Sequence, residues 1–179
     1  VYSSLGFDNF TSLEYMNNII KTPTGWAKDE VMTNDIMDMI TKSNTRDLLH
    51  IISVQGHGAY PTEQVFKDPY TTVKAKDEAT KWKYEYYVNE MHEMDKFTGD
   101  LLNRIKESGE PTIVLIYGDH IPALDVKEGD YGTGDLYQTR YVIWDNIGLK
   151  KQDKDITSYE VASDILKRAG LSHQGVIFD

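Results

Sequence analysis

Two short stretches hold the residues with the clearest chemical potential. In TIVLIYGDHIPAL, residues 112–124, an apolar and largely β-branched run ends at Gly118 and delivers Asp119 and His120 side by side. A carboxylate oxygen beside a neutral imidazole nitrogen suits Zn²⁺ or Mn²⁺ better than Ca²⁺, whose shell is all oxygen. In SVQGHGAYP, residues 53–61, His57 stands between Gly56 and Gly58. That backbone can bring the imidazole close to a ligand, to contact a phosphate oxygen or protonate a leaving group. Each motif also has a plain reading: Asp119 capping a loop beside a hydrogen-bonded His120, and His57 as a loop residue in a glycine-rich turn. What favours chemistry is that both follow apolar runs, at the strand ends where open α/β sheets build their sites.

Those runs set the expected architecture. LLHIISV (48–54), TIVLIYG (112–118) and RYVIWD (140–145) lack strict alternation, so they read as strands covered on both faces in a mostly parallel sheet flanked by helices. Between the first two, residues 76–106 place Trp82, Tyr86, Met94, Phe97, Leu101 and Ile105 at helical spacing, and Gly109 and Pro111 stop the helix. This predicts a right-handed βαβ unit. It also predicts convergence of Asp119, His120 and His57 at one sheet edge, with the histidine rings within about 10 Å. Further helices are expected over 28–41 and over 158–170, the latter with a serine N-cap and a glycine stop. Residues 121–138, with Gly129, Gly132 and Gly134, read as a long loop. His50 reads as a core residue, WKYEYY (82–87) as core packing, and Thr22 and Thr24 as a turn. His92 and His173 have no ligand-spaced partner.

Composition narrows the classes. The 179 residues carry a net charge of -10 without a Lys/Arg cluster, which argues against nucleic acid as a partner. An anionic substrate would have to be met locally, with a metal. No apolar stretch is long enough for a membrane span, and the absence of cysteine excludes disulfides and thiolate sites. The opening VYSSLGFDNF reads as already folded sequence, so a piece of something longer is expected.

Taken together, IYGDH, VQGHGAYP, MDKFTGDLL, VYSSLGFDNF, TRYVIWDN and EVASDILKRAGL resemble, in order and across nearly the whole chain, the sulfatase-type domain of lipoteichoic acid synthases and related phosphoglycerol transferases. These belong to the alkaline phosphatase superfamily. The resemblance implies that Asp119 and His120 bind the catalytic divalent cation, Mn or Zn rather than Ca, and that His57 contacts the substrate's phosphate. It implies a Thr or Ser nucleophile upstream of Val1, so no catalytic nucleophile is assigned within the chain. Residues 1–179 are then the C-terminal portion of a catalytic domain, a partial domain expected to be inactive alone and to hold metal weakly or not at all. It further implies metal-dependent transfer or hydrolysis of phosphoglycerol-type groups, outside the cell, by a membrane-anchored bacterial protein acting on an anionic lipid or cell-wall polymer. An arylsulfatase or phosphoethanolamine transferase fragment, or a non-catalytic domain binding an anionic polymer, are the alternatives.

Overall fold

The computed structural model describes residues 2–130, 132 and 135–171. It divides into two compact units, Val1–Arg104 with Pro122–Asp125, and Ile105–Ile121 with Val126–Asp179. His173 and Gly134 lie outside the described residues.

The first unit is organised on helices. A 3₁₀ turn, Asp29–Met32, runs directly into α1, Thr33–Lys42, close to the span expected from sequence. The long helix α2, Glu78–Ser108, starts and ends two residues later than the expected span of 76–106. Asp77 caps it, its two carboxylate oxygens accepting from the Thr80 amide at 2.8 Å and the Thr80 hydroxyl at 2.9 Å. Gly109, at φ +73°, ends it in the left-handed conformation that glycine adopts without strain.

The core of this unit is aromatic, as WKYEYY suggested. Tyr86 is 2% exposed, stacks on Phe66 at 5.4 Å and shares a 2.8 Å hydrogen bond with the Thr24 hydroxyl. Thr22 and Thr24 lie in a turn closed by the Lys21–Ala27 bridge, which is a structural role. Tyr86→Ala is expected to destabilise the protein by about 3–5 kcal/mol, since it removes a buried ring together with its stacking partner's contact. Urea unfolding would measure it.

α2 also buries polar residues. Glu85 accepts from the Val73 amide, while Asn89 both accepts from and donates to the Thr71 backbone. Backbone polar groups buried without partners are costly, and here side chains of a helix satisfy the loop that a neighbouring strand would otherwise serve.

The run 48–54 departs from expectation. It pairs with no strand among the described residues, and Leu48, Ile51 and Ile52 are 70%, 44% and 53% exposed. His50 is exposed too, 6.3 Å from the Phe7 ring, rather than in the core. An apolar, β-branched segment states only that it suits a pleated surface; a ladder partner has to be supplied by another strand.

The second unit contains the sheet. β1, Ile113–Tyr117, pairs with β2, Tyr141–Asp145, in register from Ile113↔Asp145 to Tyr117↔Tyr141. The pair is antiparallel, which corrects the parallel arrangement expected of these two runs. Its cause is the connection: a parallel crossover is usually a helix, and residues 118–140 hold only the 3₁₀ turn Glu128–Asp130 among those described. The expected βαβ unit, with α2 crossing between residues 48–54 and β1, is not formed among the described residues, because 48–54 pairs with no strand. Asn146 locks the sheet's end, accepting from the Thr112 amide at 2.8 Å and donating to the Glu110 carbonyl at 2.8 Å.

α3, Val161–Arg168, follows a 3₁₀ turn at Ser158–Glu160. Thr157, one residue before the expected serine, is the cap. It forms a capping box with Glu160, whose carboxylate accepts from the Thr157 amide at 2.9 Å. Gly170 stops the helix at φ +70°, as expected.

Candidate functional site

In the second unit, β1 leads through Gly118 directly into Asp119 and His120. A Cβ on Gly118 would stand 3.1 Å from the Thr139 hydroxyl, so this glycine permits close approach rather than an unusual dihedral. Both following side chains reach solvent, Asp119 at 76% and His120 at 59% exposure. His120 Nδ1 lies 3.0 Å from the Ile121 carbonyl. A carbonyl can only accept, so Nδ1 carries the proton and Nε2 is the ligand-type nitrogen.

That nitrogen sits 3.7 Å from Asp119 Oδ1. Two donors each about 2.1 Å from a tetrahedral ion stand about 3.4 Å apart, so the pair is close to a two-ligand bite without rearrangement. The donor chemistry and the tautomer both fit a divalent cation. Among the described residues no group of three or more His, Asp or Glu side chains is clustered for a metal. Asp119 and His120 alone would leave a catalytic ion's protein shell incomplete.

In the first unit, His57 closes a tight turn, its amide donating to the Val54 carbonyl at 3.1 Å. Its Nδ1 lies 2.8 Å from the Gly58 carbonyl, which fixes the same Nδ1–H tautomer as in His120. The Trp26 ring lies 4.7 Å from the imidazole, and Trp26 Nε1 donates to the same Gly58 oxygen at 2.9 Å. The Tyr60 hydroxyl donates to Gly56 O at 2.9 Å. Burial, with Tyr87 and Tyr86 alongside, pushes that phenol up to about 12, so it remains a donor at physiological pH. A Cβ on Gly56 would come within 2.9 Å of Met94 Sδ, so the turn presses on α2.

Sequence reasoning missed Trp26, Gln55, Asp29 and Glu90. Gln55 is 2% exposed, accepts from the Asp29 amide at 2.8 Å and donates to Glu90 and Glu93 at 2.8 and 2.7 Å. The Ser53 hydroxyl donates to Asp29 Oδ2 at 2.7 Å, while Asp29 Oδ1 and Glu90 Oε1 are buried with no well-formed hydrogen bond among the described residues. The sequence did hold a signal: Glu90 falls on the Tyr86–Met94–Phe97 stripe, a charge where the helical period asks for an apolar residue.

Burial is the largest cause raising both carboxyls above their ordinary values of 3.8 and 4.5, opposed by hydrogen bonds from Ser53 to Asp29 and from Gln55 to Glu90. The folded state therefore holds these protons more tightly than the unfolded chain. Their contribution to stability is fully present below the unfolded values and declines as pH rises toward the folded ones. Glu90→Gln is expected to flatten the decline in urea midpoint above pH 4.5 relative to the wild type. An equally steep decline in the variant would contradict this.

The sulfatase family model matches residues 1–171. A Rhizobium meliloti (strain 1021) protein named for a proposed role in cyclic beta-1,2-glucan modification is 28% identical over 97% of this chain, which spans 29% of that protein. Among solved structures, Streptococcus pyogenes phosphoglycerol transferase GacH, in complex with sn-glycerol-1-phosphate, aligns over 93% of this chain and 44% of its own, with TM-score 0.74 and 23% identity. The chain thus spans less than half the length of either protein, and its α/β fold is that of the sulfatase-type phosphoglycerol transferase. With the match running through both motif-bearing segments, the chain belongs to the sulfatase family.

Proposed function

We propose that the protein containing this chain transfers or hydrolyses phosphoglycerol-type phosphoester groups, with Asp119 and His120 as ligands of a divalent cation, Mn or Zn, and His57 as a contact to the phosphate. The observation that carries the reading is the 3.7 Å pairing of Asp119 Oδ1 with His120 Nε2 at a strand end, in a chain of the sulfatase family. Bound there, the cation would act as a Lewis acid on the phosphoryl oxygen and lower the pKa of a nucleophile. Asp119 supplies the negative charge. The Ile121 carbonyl holds His120 in the ligating tautomer. His57, held with Nδ1–H on Gly58 O, meets a phosphate oxygen through Nε2 and donates to it as the imidazolium.

The nucleophile and the remaining ligands are assigned to sequence outside these 179 residues, making this the C-terminal portion of the catalytic domain and leaving the chain alone inactive. Phosphoglycerol is favoured over sulfate because the solved structural relative is a phosphoglycerol transferase holding sn-glycerol-1-phosphate. The Rhizobium relative's name points to a glycan acceptor, in keeping with a cell-envelope polymer handled outside the cell by a membrane-anchored enzyme. No helix among the described residues is long and apolar enough to cross a membrane, so any anchor is assigned elsewhere.

The test is turnover by the native full-length protein of two chromogenic probes, a p-nitrophenyl phosphodiester of glycerol and p-nitrophenyl sulfate, with and without chelator. Chelator-sensitive cleavage of the phosphodiester is expected. Preference for the sulfate would move the reading to an arylsulfatase.

A further inference from the structure

We propose that Gln55 is the positioning residue of the His57 turn, joining it to α2 and to the entry of α1, and that it sets the tautomer and placement of the imidazole. The inference rests on the role of His57 proposed above only for its catalytic consequence; the structural part stands on geometry alone.

Gln55 is a central residue of the Val54–His57 turn, yet its side chain is buried rather than pointing to water as turn residues usually do. All of its amide is used. Oε1 accepts the Asp29 amide, one of the first N–H groups of the 3₁₀ turn leading into α1, which a helix start cannot satisfy internally. Nε2 gives its two hydrogens to two carboxylates one turn apart on α2, Glu90 at 2.8 Å and Glu93 at 2.7 Å. Lys28 closes the set, its ammonium 2.7 Å from Glu93.

No other neutral side chain of this length offers one acceptor and two donors in a plane. Alanine would leave the Asp29 N–H and both carboxylates without this partner, and glutamate would set a third carboxylate against two. The consequence reaches His57 through two covalent steps. Two carbonyls after Gln55 are held by side chains, Gly56 O by Tyr60 and Gly58 O by Trp26, and Gly56 lies beside the Met94 thioether of α2. Gln55 is the only side chain of the turn's central pair, because its neighbour is Gly56. If it lets go, the Val54–His57 turn loses its attachment to α2, and the Nδ1–Gly58 O geometry goes with it.

The experiment reads the His57 ring directly. Long-range ¹H–¹⁵N spectra of the native full-length protein distinguish Nδ1–H from Nε2–H imidazole, and the wild type is expected to show the Nδ1–H form. Gln55→Ala and Gln55→Glu should move His57 toward the Nε2–H form that histidine ordinarily prefers, while His120, in the second unit, keeps its signals. The exchange Gln55→Glu with Glu90→Gln and Glu93→Gln reverses the donor at both contacts and keeps an acceptor for the Asp29 amide, so it should restore the Nδ1–H form. An unchanged His57 tautomer in Gln55→Ala overturns the proposal. If that variant does not fold, failure of the exchange to recover what Gln55→Glu loses overturns it instead.

In the native full-length protein, turnover of the glycerol phosphodiester should fall about tenfold in Gln55→Ala and recover in the exchange, as expected for a residue supporting a site side chain. Should the tautomer respond to Gln55 while His57→Ala leaves turnover intact, the positioning role stands and the phosphate contact falls.

Discussion

Asp119→Ala and His120→Ala are each expected to lower turnover of the native full-length protein by at least about 100-fold and to strip its bound metal. Removing a group that merely orients a metal ligand costs about 10–100-fold in affinity or activity, so deleting a ligand itself should cost no less. Stability should hardly change. Both side chains are more than half exposed, and their mutual contact at 3.7 Å is a surface pair, so the folding free energy should move by less than about 0.5 kcal/mol. The combination of lost activity, lost metal and an unchanged urea midpoint is what separates a ligand from a structural residue. Activity loss accompanied by unfolding would assign the pair to the loop after β1.

His57→Ala should lower kcat by about 100-fold in the same protein while leaving metal content intact. A preorganised donor to a phosphoryl oxygen acts as charge develops, and losing one such donor typically costs about 100- to 1000-fold. The structure supports preorganisation: the ring is set against Trp26 and its Nδ1 is hydrogen-bonded to Gly58 O, contacts that orient the imidazolium from which Nε2–H would donate. Metal analysis beside the kinetics checks the division of labour. A variant that loses its metal through His57 would make it a ligand rather than a phosphate contact.

What could be read from sequence follows the range of the forces involved. α2 was legible because its signal is local: a helical period over some thirty residues and a Gly109 stop. The stop of α3 at Gly170 was legible for the same reason, whereas its cap fell to Thr157 instead of Ser158 because the capping box depends on which residue sits three before Glu160. Strand pairing was not legible. Val, Ile and Leu mark residues 112–118 and 140–145 as strands but carry no direction, and only the helix-free connection between them foretold an antiparallel pair. Residues 48–54 have the same composition and no partner among the described residues.

The site divides in the same way. Asp119, His120 and His57 stood out because their residue types are unusual after an apolar run. Gln55 did not, because a glutamine in a turn looks like a solvated residue until Asp29, Glu90 and Glu93 are seen around it. Those partners lie 26, 35 and 38 residues away, and no pattern within a window of the chain connects them. The single local clue was a glutamate on the buried stripe of α2.

The central claim is that Asp119 and His120 hold a divalent cation. Its most direct test is Mn²⁺ titration of the ¹⁵N-labelled native full-length protein, following paramagnetic broadening of the histidine ring signals. The account predicts that His120 broadens first, at substoichiometric Mn²⁺, and that Asp119→Ala abolishes the effect, with a much weaker response in the 179-residue chain alone. Broadening that centres on another histidine and spares His120, or that persists undiminished in Asp119→Ala, would contradict it.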